Sequence, residues 1–302
     1  MSPMKKRARA SDGGENENLD WTKIALRANN VRVRLIGTSP LIMHRLSEKA
    51  RKELFYPSPQ KTKADKQSTM KHDPLVEYQQ CFYRNRDDHT PTYFHLPQGM
   101  VKGALTSACK RLPGAVRTEV QALVQITSPS IFIYGIPRLA ADIVRQGGMT
   151  KTPDIRIRPY FERWCAEVDL THIETLIPQI AIERLLLAGG MFVGLGDWRP
   201  EKNGSNGRYR LTETEVDAEW DEIVAEGGRD AQVEAFAHPE YFNEETEELM
   251  EWFFQERIRR TTGKRGAPVL PPAHEITTLD KDGDVVGKQA RPRKGNGGEI
   301  TA

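Results

Sequence analysis

The stretch Gly194-Leu195-Gly196-Asp197-Trp198-Arg199-Pro200-Glu201-Lys202-Asn203-Gly204-Ser205-Asn206-Gly207-Arg208-Tyr209-Arg210 decides how this sequence is read. Glycines at 194, 196, 204 and 207 permit tight turns and let backbone amides approach an anion closely. Arg199, Lys202, Arg208 and Arg210 add positive charge, and Trp198 and Tyr209 add flat surfaces on which a base can stack. The segment is not a nucleotide P-loop, because no terminal Gly-Lys-Ser/Thr leads into a helix. The competing reading is an ordinary hairpin loop, with Trp198 in the core and Arg199 paired to Asp197 or Glu201.

Working outward, His172 to Ala188 has helical apolar spacing despite Pro178 and ends at Gly189-Gly190, while Arg208 to Leu211 reads as a closing strand. Ser130 to Tyr134 is a buried strand, and Ile155 to Leu170 one or two more, with Arg156, Arg158 and Tyr160 on one face by period two. After a short strand candidate at Thr92 to His95, Leu96 to Arg111 is an amphipathic helix: proline stands near its start, Met100, Val101, Ala104, Leu105 and Ala108 form its apolar stripe, and Lys102, Lys110 and Arg111 lie off it. Val31, Val33 and Leu35 alternate with Arg32 and Arg34 in a first strand that ends at Gly37-Thr38-Ser39-Pro40. The order is strand, insertion, helix, strand, strand, helix, glycine loop, strand. That predicts an α+β class with a ferredoxin-like or RRM-like βαββαβ core over residues 23–211 and a long insertion at 41–92. An acidic helical extension at 212–262, with a helix from Glu244 to Arg260, follows it, and residues 1–22 and 263–302 read as disordered tails.

Charge divides the chain in two. Residues 1–211 carry 33 Lys+Arg against 21 Asp+Glu, and residues 212–302 carry 11 against 21, so the net +2 conceals a basic part and an acidic one. A basic folded part suits a polyanion, and the acidic stretch could lie over that basic groove as a phosphate mimic or serve as a solvated surface. No run approaches the roughly 18 apolar residues of a membrane span, and the basic N-terminus lacks a secretory apolar segment, so a cytoplasmic protein with no membrane partner is expected. The 3 cysteines have neither ligand spacing nor a disulfide framework and read as buried thiols. His44, His72, His89 and His95 match no ligand pattern, and adjacent His72 and Asp73 point apart in extended chain, so no metal or cofactor is expected.

Leu96-Pro97-Gln98-Gly99-Met100-Val101-Lys102-Gly103-Ala104-Leu105 resembles the opening of helix one in the RAMP superfamily, the CRISPR repeat-associated proteins. The glycine loop before the last strand and the turn Gly37 to Leu41 after the first strand are similar to that superfamily too, over roughly residues 31–211. The nearest likeness is to the backbone subunits of CRISPR effectors and to phage-borne proteins sharing Asp73-Pro74, Glu77-Tyr78 and Gly196 to Glu201. The resemblance implies a non-enzymatic protein that binds single-stranded DNA or RNA and self-associates into a helical array in a bacterial host cell, with effector or replication proteins as further partners. It sets His44 and Arg45, Lys102 and Lys110, and the glycine loop beside the nucleic-acid backbone, and makes the insertion a thumb-like projection to a neighbouring subunit. Arg156, Arg158, Tyr160, Trp198, Arg199, Lys202, Arg208, Tyr209 and Arg210 complete the expected interface. Some members of the superfamily cleave RNA with an aspartate after strand one, where Asp65 and Asp73 stand here, and metal-dependent cleavage is the alternative activity. A structural assembly protein that reuses the fold is the third reading.

Overall fold

Alternation from Val31 to Leu35 creates a strand with two different faces, and the sheet is built around it. A computed structural model describes residues 25–56, 72–145, 153–212 and 216–262, together with the backbone of 276–279 and 285–289. The first part contains β1 (Ala28–Gly37), β2 (Leu41–Ile42), α1 (Glu48–Glu53), α2 (Pro74–Gln80), β3 (His95–Pro97) and α3 (Gln98–Ala108). Then come α4 (Arg117–Leu123), β4 (Val124–Ile126), β5 (Ser130–Tyr134), β6 (Pro137–Arg145), β7 (Pro153–Phe161) and β8 (Cys165–Ile173). The last part holds α5 (Gln179–Ala188), β9 (Tyr209–Leu211), α6 (Ala218–Glu226), α7 (Arg229–Ala237), α8 (Glu244–Thr262), β10 (Ile276–Leu279) and β11 (Val285–Gln289).

The class is α+β, with antiparallel sheets. In the main sheet the order is β3-β5-β8-β1-β9, with β4 also on β8. β1 pairs with β8 from Ala28↔Ile173 to Ile36↔Cys165, and with β9 through Leu35↔Leu211 to Gly37↔Tyr209. Following the chain through β1, α3, β5, β8, α5 and β9 gives strand, helix, strand, strand, helix, strand. Leu35, Ala166 and Val168 face α3 and α5, and the alternate residues Ile36 and Cys165 face Trp220 and Ile223 of α6 on the other side. α3 is a helix because Pro97 sets an extended entry and Val101, Ala104, Leu105 and Ala108 bury one stripe. Leu105 is fully buried, and truncating it to alanine would cost about 2–5 kcal/mol.

Several elements differ from the sequence expectations. The predicted helix from His172 is strand as far as Ile173, and α5 begins only after Pro178, whose ring and missing N–H suit a helix start but not its interior. α5 also does not stop at Gly189-Gly190 but continues into a π-helical turn, Gly189–Val193. The region Ile155 to Leu170 divides between two sheets, since β7 joins β2 and β6 in a separate three-stranded sheet while β8 joins β1. The C-terminal half of the insertion belongs to the core: Tyr78 and Phe82 are fully buried, and Phe82 stacks on Phe94 at 4.0 Å. The lysine-rich stretch with Asp65 and the tail 1–22 lie outside the described residues, and so does most of 263–302; β10 and β11, in a region expected to lack structure, pair antiparallel.

Candidate functional site

The glycine loop is a tightly bonded structure docked on the β1–β2 connection. Leu195 N donates to Gly207 O at 2.8 Å, Gly207 N to Pro40 O at 2.7 Å, and Asp197 N to Ile42 O at 2.9 Å. Gly207 has φ +71°, and a Cβ there would stand 1.8 Å from Leu195 O, so no larger residue fits. The glycines thus serve close backbone contacts within the protein. Trp198, at φ +47°, is 53 % exposed and is not part of the core.

Several of the expected contact residues are already engaged. Lys102 Nζ donates to Val120 O at 3.1 Å and Gln121 O at 3.0 Å, and also to Val124 O, so it satisfies carbonyls at the end of α4. Tyr160 is buried with its hydroxyl donating to Asp142 at 2.8 Å, and Tyr209 is buried in the core against Trp164, so neither ring has a face open to a base. Arg158 is ion-paired to Asp197 at 3.0 Å, and Arg156 stands 3.7 Å from Asp154. Arg199 donates to Gly196 O and to Glu201, as the hairpin reading required, and Arg210 is held by Asp217 and Glu219. Lys110, Lys202 and Arg208 are exposed. The basic face of β1 is likewise neutralised, since Arg32 pairs with Asp169 at 2.7 Å and Arg34 with Glu167 at 3.3 Å across β8. The acidic segment does cover basic residues: besides the Arg210 pairs, α6 brings Glu222 and Glu226 to Arg163 and sets Trp220 5.1 Å from the Arg34 guanidinium.

Asp73 and His72 make contacts within the fold. Asp73 caps α2 through Val76 N at 3.4 Å. His72 pairs not with Asp73 but with Glu77 at 2.8 Å and Asp154 at 3.1 Å, which ties α2 to β7. No group of His, Cys, Asp and Glu suited to a metal occurs among the described residues. Cys81, Cys109 and Cys165 are buried, and burial pushes the Cys81 and Cys165 thiols up to about 12.

What the fold does assemble is an open cleft of about 500 Å³ between one side of α3, loop residues from Gly194 to Arg199, Tyr83 and His44. Gly99, Gly103 and Ser107 line its α3 wall at i, i+4, i+8, and nothing lies within 4 Å of where a Cβ on Gly99 or Gly103 would stand. Asp197 accepts from His44 Nδ1 at 3.2 Å, from Arg158 and from Trp198 N. The His44 hydrogen bond, with help from Arg158, holds its carboxyl down at about 2 against the opposing effect of burial. At the Tyr83 end stands a cationic cluster: Arg45 lies 5.9 Å from the Tyr83 ring centroid, and burial, then Arg51 and Arg84, lower its pKa. Arg51 and Arg84 are exposed; Glu48, ion-paired to Lys52, lies near enough to Arg45 and Arg51 to attract them, but no carboxylate stands within ion-pair distance of the three arginines among the described residues. Sequence reading found His44 and Arg45 but missed Arg51, Arg84 and Tyr83. The small-residue spacing of Gly99, Gly103 and Ser107 was the available signal for the cleft wall.

No protein-family model matches the chain, and no curated protein matches its sequence. Among solved structures it is similar to a chain in a cryo-EM structure of the Type III-B Cmr-beta bound to cognate target RNA, at 11% identity and a TM-score of 0.31. That match covers 62% of this chain and 60% of the other, so the chain spans about three fifths of that neighbour's length. No described helix is long and apolar enough to cross a membrane.

Proposed function

We propose that this protein binds single-stranded nucleic acid without cleaving it, along a path that crosses the cleft between α3 and the glycine loop, as a relative of the RAMP superfamily that assembles side by side on the strand. The observation that carries the reading is the cluster of Arg45, which stands beside Tyr83 at the cleft's edge, with Arg51 and Arg84: three guanidinium groups that Glu48 offsets only in part. Mutually repelling guanidinium groups beside an aromatic ring are unfavourable for folding but suit a polyanion with stacking bases. Exposed Lys110, Lys202, Arg208 and Trp198 extend the surface along α3 and the loop. The self-association rests on the resemblance of the α3 opening and glycine loop to that superfamily.

The test is fluorescence anisotropy with a labelled single-stranded oligonucleotide over about 50–200 mM salt, where each neutralised phosphate contributes roughly 0.7 to the log–log slope. Arg51→Ala with Arg84→Ala removes two exposed charges and should lower that slope by roughly 1.4. An unchanged slope would refute the cluster's role. Electron microscopy with a long oligonucleotide at saturating protein should show continuous arrays, and isolated particles would refute assembly on the strand.

A further inference from the structure

The cleft has a chemistry of its own that the cationic cluster beside it does not share. Its volume of about 500 Å³ is that of a small-molecule pocket and accommodates a nucleobase with its sugar. Gly99, Met100, Gly103 and Leu195 give part of its wall a backbone and apolar surface, which suits a flat ring, and the rest of the lining is polar. Its lining holds one carboxylate, Asp197, which is ion-paired to Arg158 and shares the loop wall with Arg199.

Hydrogen-bonding capacity narrows the ligand further. A carboxylate offers about four lone-pair sites, and His44, Arg158 and Trp198 N take three of those on Asp197. A ligand that brings donors therefore fits, and one whose edge is dominated by carbonyls does not. Cytosine, adenine and guanine carry exocyclic amino groups. Thymine and uracil carry one ring N–H between two carbonyls.

We propose that the cleft is a nucleobase pocket that takes one amino-bearing base of the bound strand, with the Asp197 carboxylate accepting from its exocyclic amine. This rests on the single-strand reading above. Low proton affinity at Asp197 keeps the acceptor charged at neutral pH.

The experiment compares oligodeoxycytidine, oligodeoxyadenosine and oligothymidine of equal length by anisotropy at pH 8. The amino-bearing strands should bind about tenfold more tightly than oligothymidine, the ratio one charge-assisted hydrogen bond confers. Gly103→Leu adds a side chain to the cleft wall at a position where a Cβ meets nothing within 4 Å, and should erase that ratio. Asp197→Asn should also reduce the ratio to below about twofold. Equal binding of the three strands by the native protein, with a normal salt slope, would overturn the pocket and leave the strand reading standing. Failure to bind any of them would overturn both. A ratio that survives Gly103→Leu would place the discrimination elsewhere and refute the pocket. Free deoxycytidine monophosphate binding as tightly as the cytidine strand would refute the strand as the source of the base.

Discussion

Gln232 on α7 is fully buried and joins three parts of the fold. Its Oε1 accepts from Tyr93 N at 2.9 Å and Phe94 N at 3.1 Å. Its Nε2 donates to Ile133 O at 2.7 Å and to Gly135 O and Gly227 O at 3.1 Å each. Gln232→Leu preserves volume and removes all of these bonds. The two backbone N–H groups then lose their acceptor, at about 1–3 kcal/mol each. The carbonyls lose less, because each has a second lone pair and Gly227 O also accepts from Gly135 N at 3.0 Å. The expected loss is about 4 kcal/mol, or a fall in Tm of about 8–16 °C for a unit of this size. Urea unfolding followed by tryptophan fluorescence, analysed at constant m-value, measures it. A loss below about 1 kcal/mol would show that the bonds are not the link between α7 and the β3–β5 region that they look to be. Gln232→Glu adds a directional check. A buried carboxylate facing three carbonyls has a raised folded pKa, so its penalty relative to native protein should be smaller at pH 4 and grow as pH rises.

Other outcomes follow from the same geometry. Lys102→Met should cost about 1–2 kcal/mol of stability, from the lost bonds to α4 carbonyls, and leave the salt slope of strand binding unchanged; a reduced slope would return Lys102 to the interface. Asp197 is depressed from its ordinary 3.8 to about 2, so the stability it contributes is present above about pH 4 and is lost as pH falls toward 2. Exposure of 36% reduces that contribution to about 1 kcal/mol, and a stability gap between native protein and Asp197→Asn that did not close at acid pH would contradict it. A chromogenic disulfide at pH 8 should label none of the buried cysteines quickly and all 3 after guanidinium unfolding; rapid labelling of the folded protein would refute their burial.

Periodicity and punctuation determined the α+β class, the first strand, the α3 helix, the Ser130 to Tyr134 strand and the long acidic helix, because each buries a face that its own spacing announces. Local spacing did not reveal β6, α6 or α7. β6 buries residues on both faces, and the two helices hide a few apolar residues, Trp220, Ile223 and Ala235, among many charges. At the site, sequence determined which residues carry charge and where glycine sits. Only the tertiary structure decided which charges are spent: Arg158 on Asp197, Arg210 on Asp217 and Glu219, Lys102 on α4, against Arg45, Arg51 and Arg84, a cluster that Glu48 offsets only in part. An ion pair depends on which distant segments the fold brings within about 4 Å, and composition contains no record of that distance. The same holds for the glycine loop, whose residues were legible as a flexible cradle, while packing against Pro40 and Ile42 made it one rigid wall of a cleft.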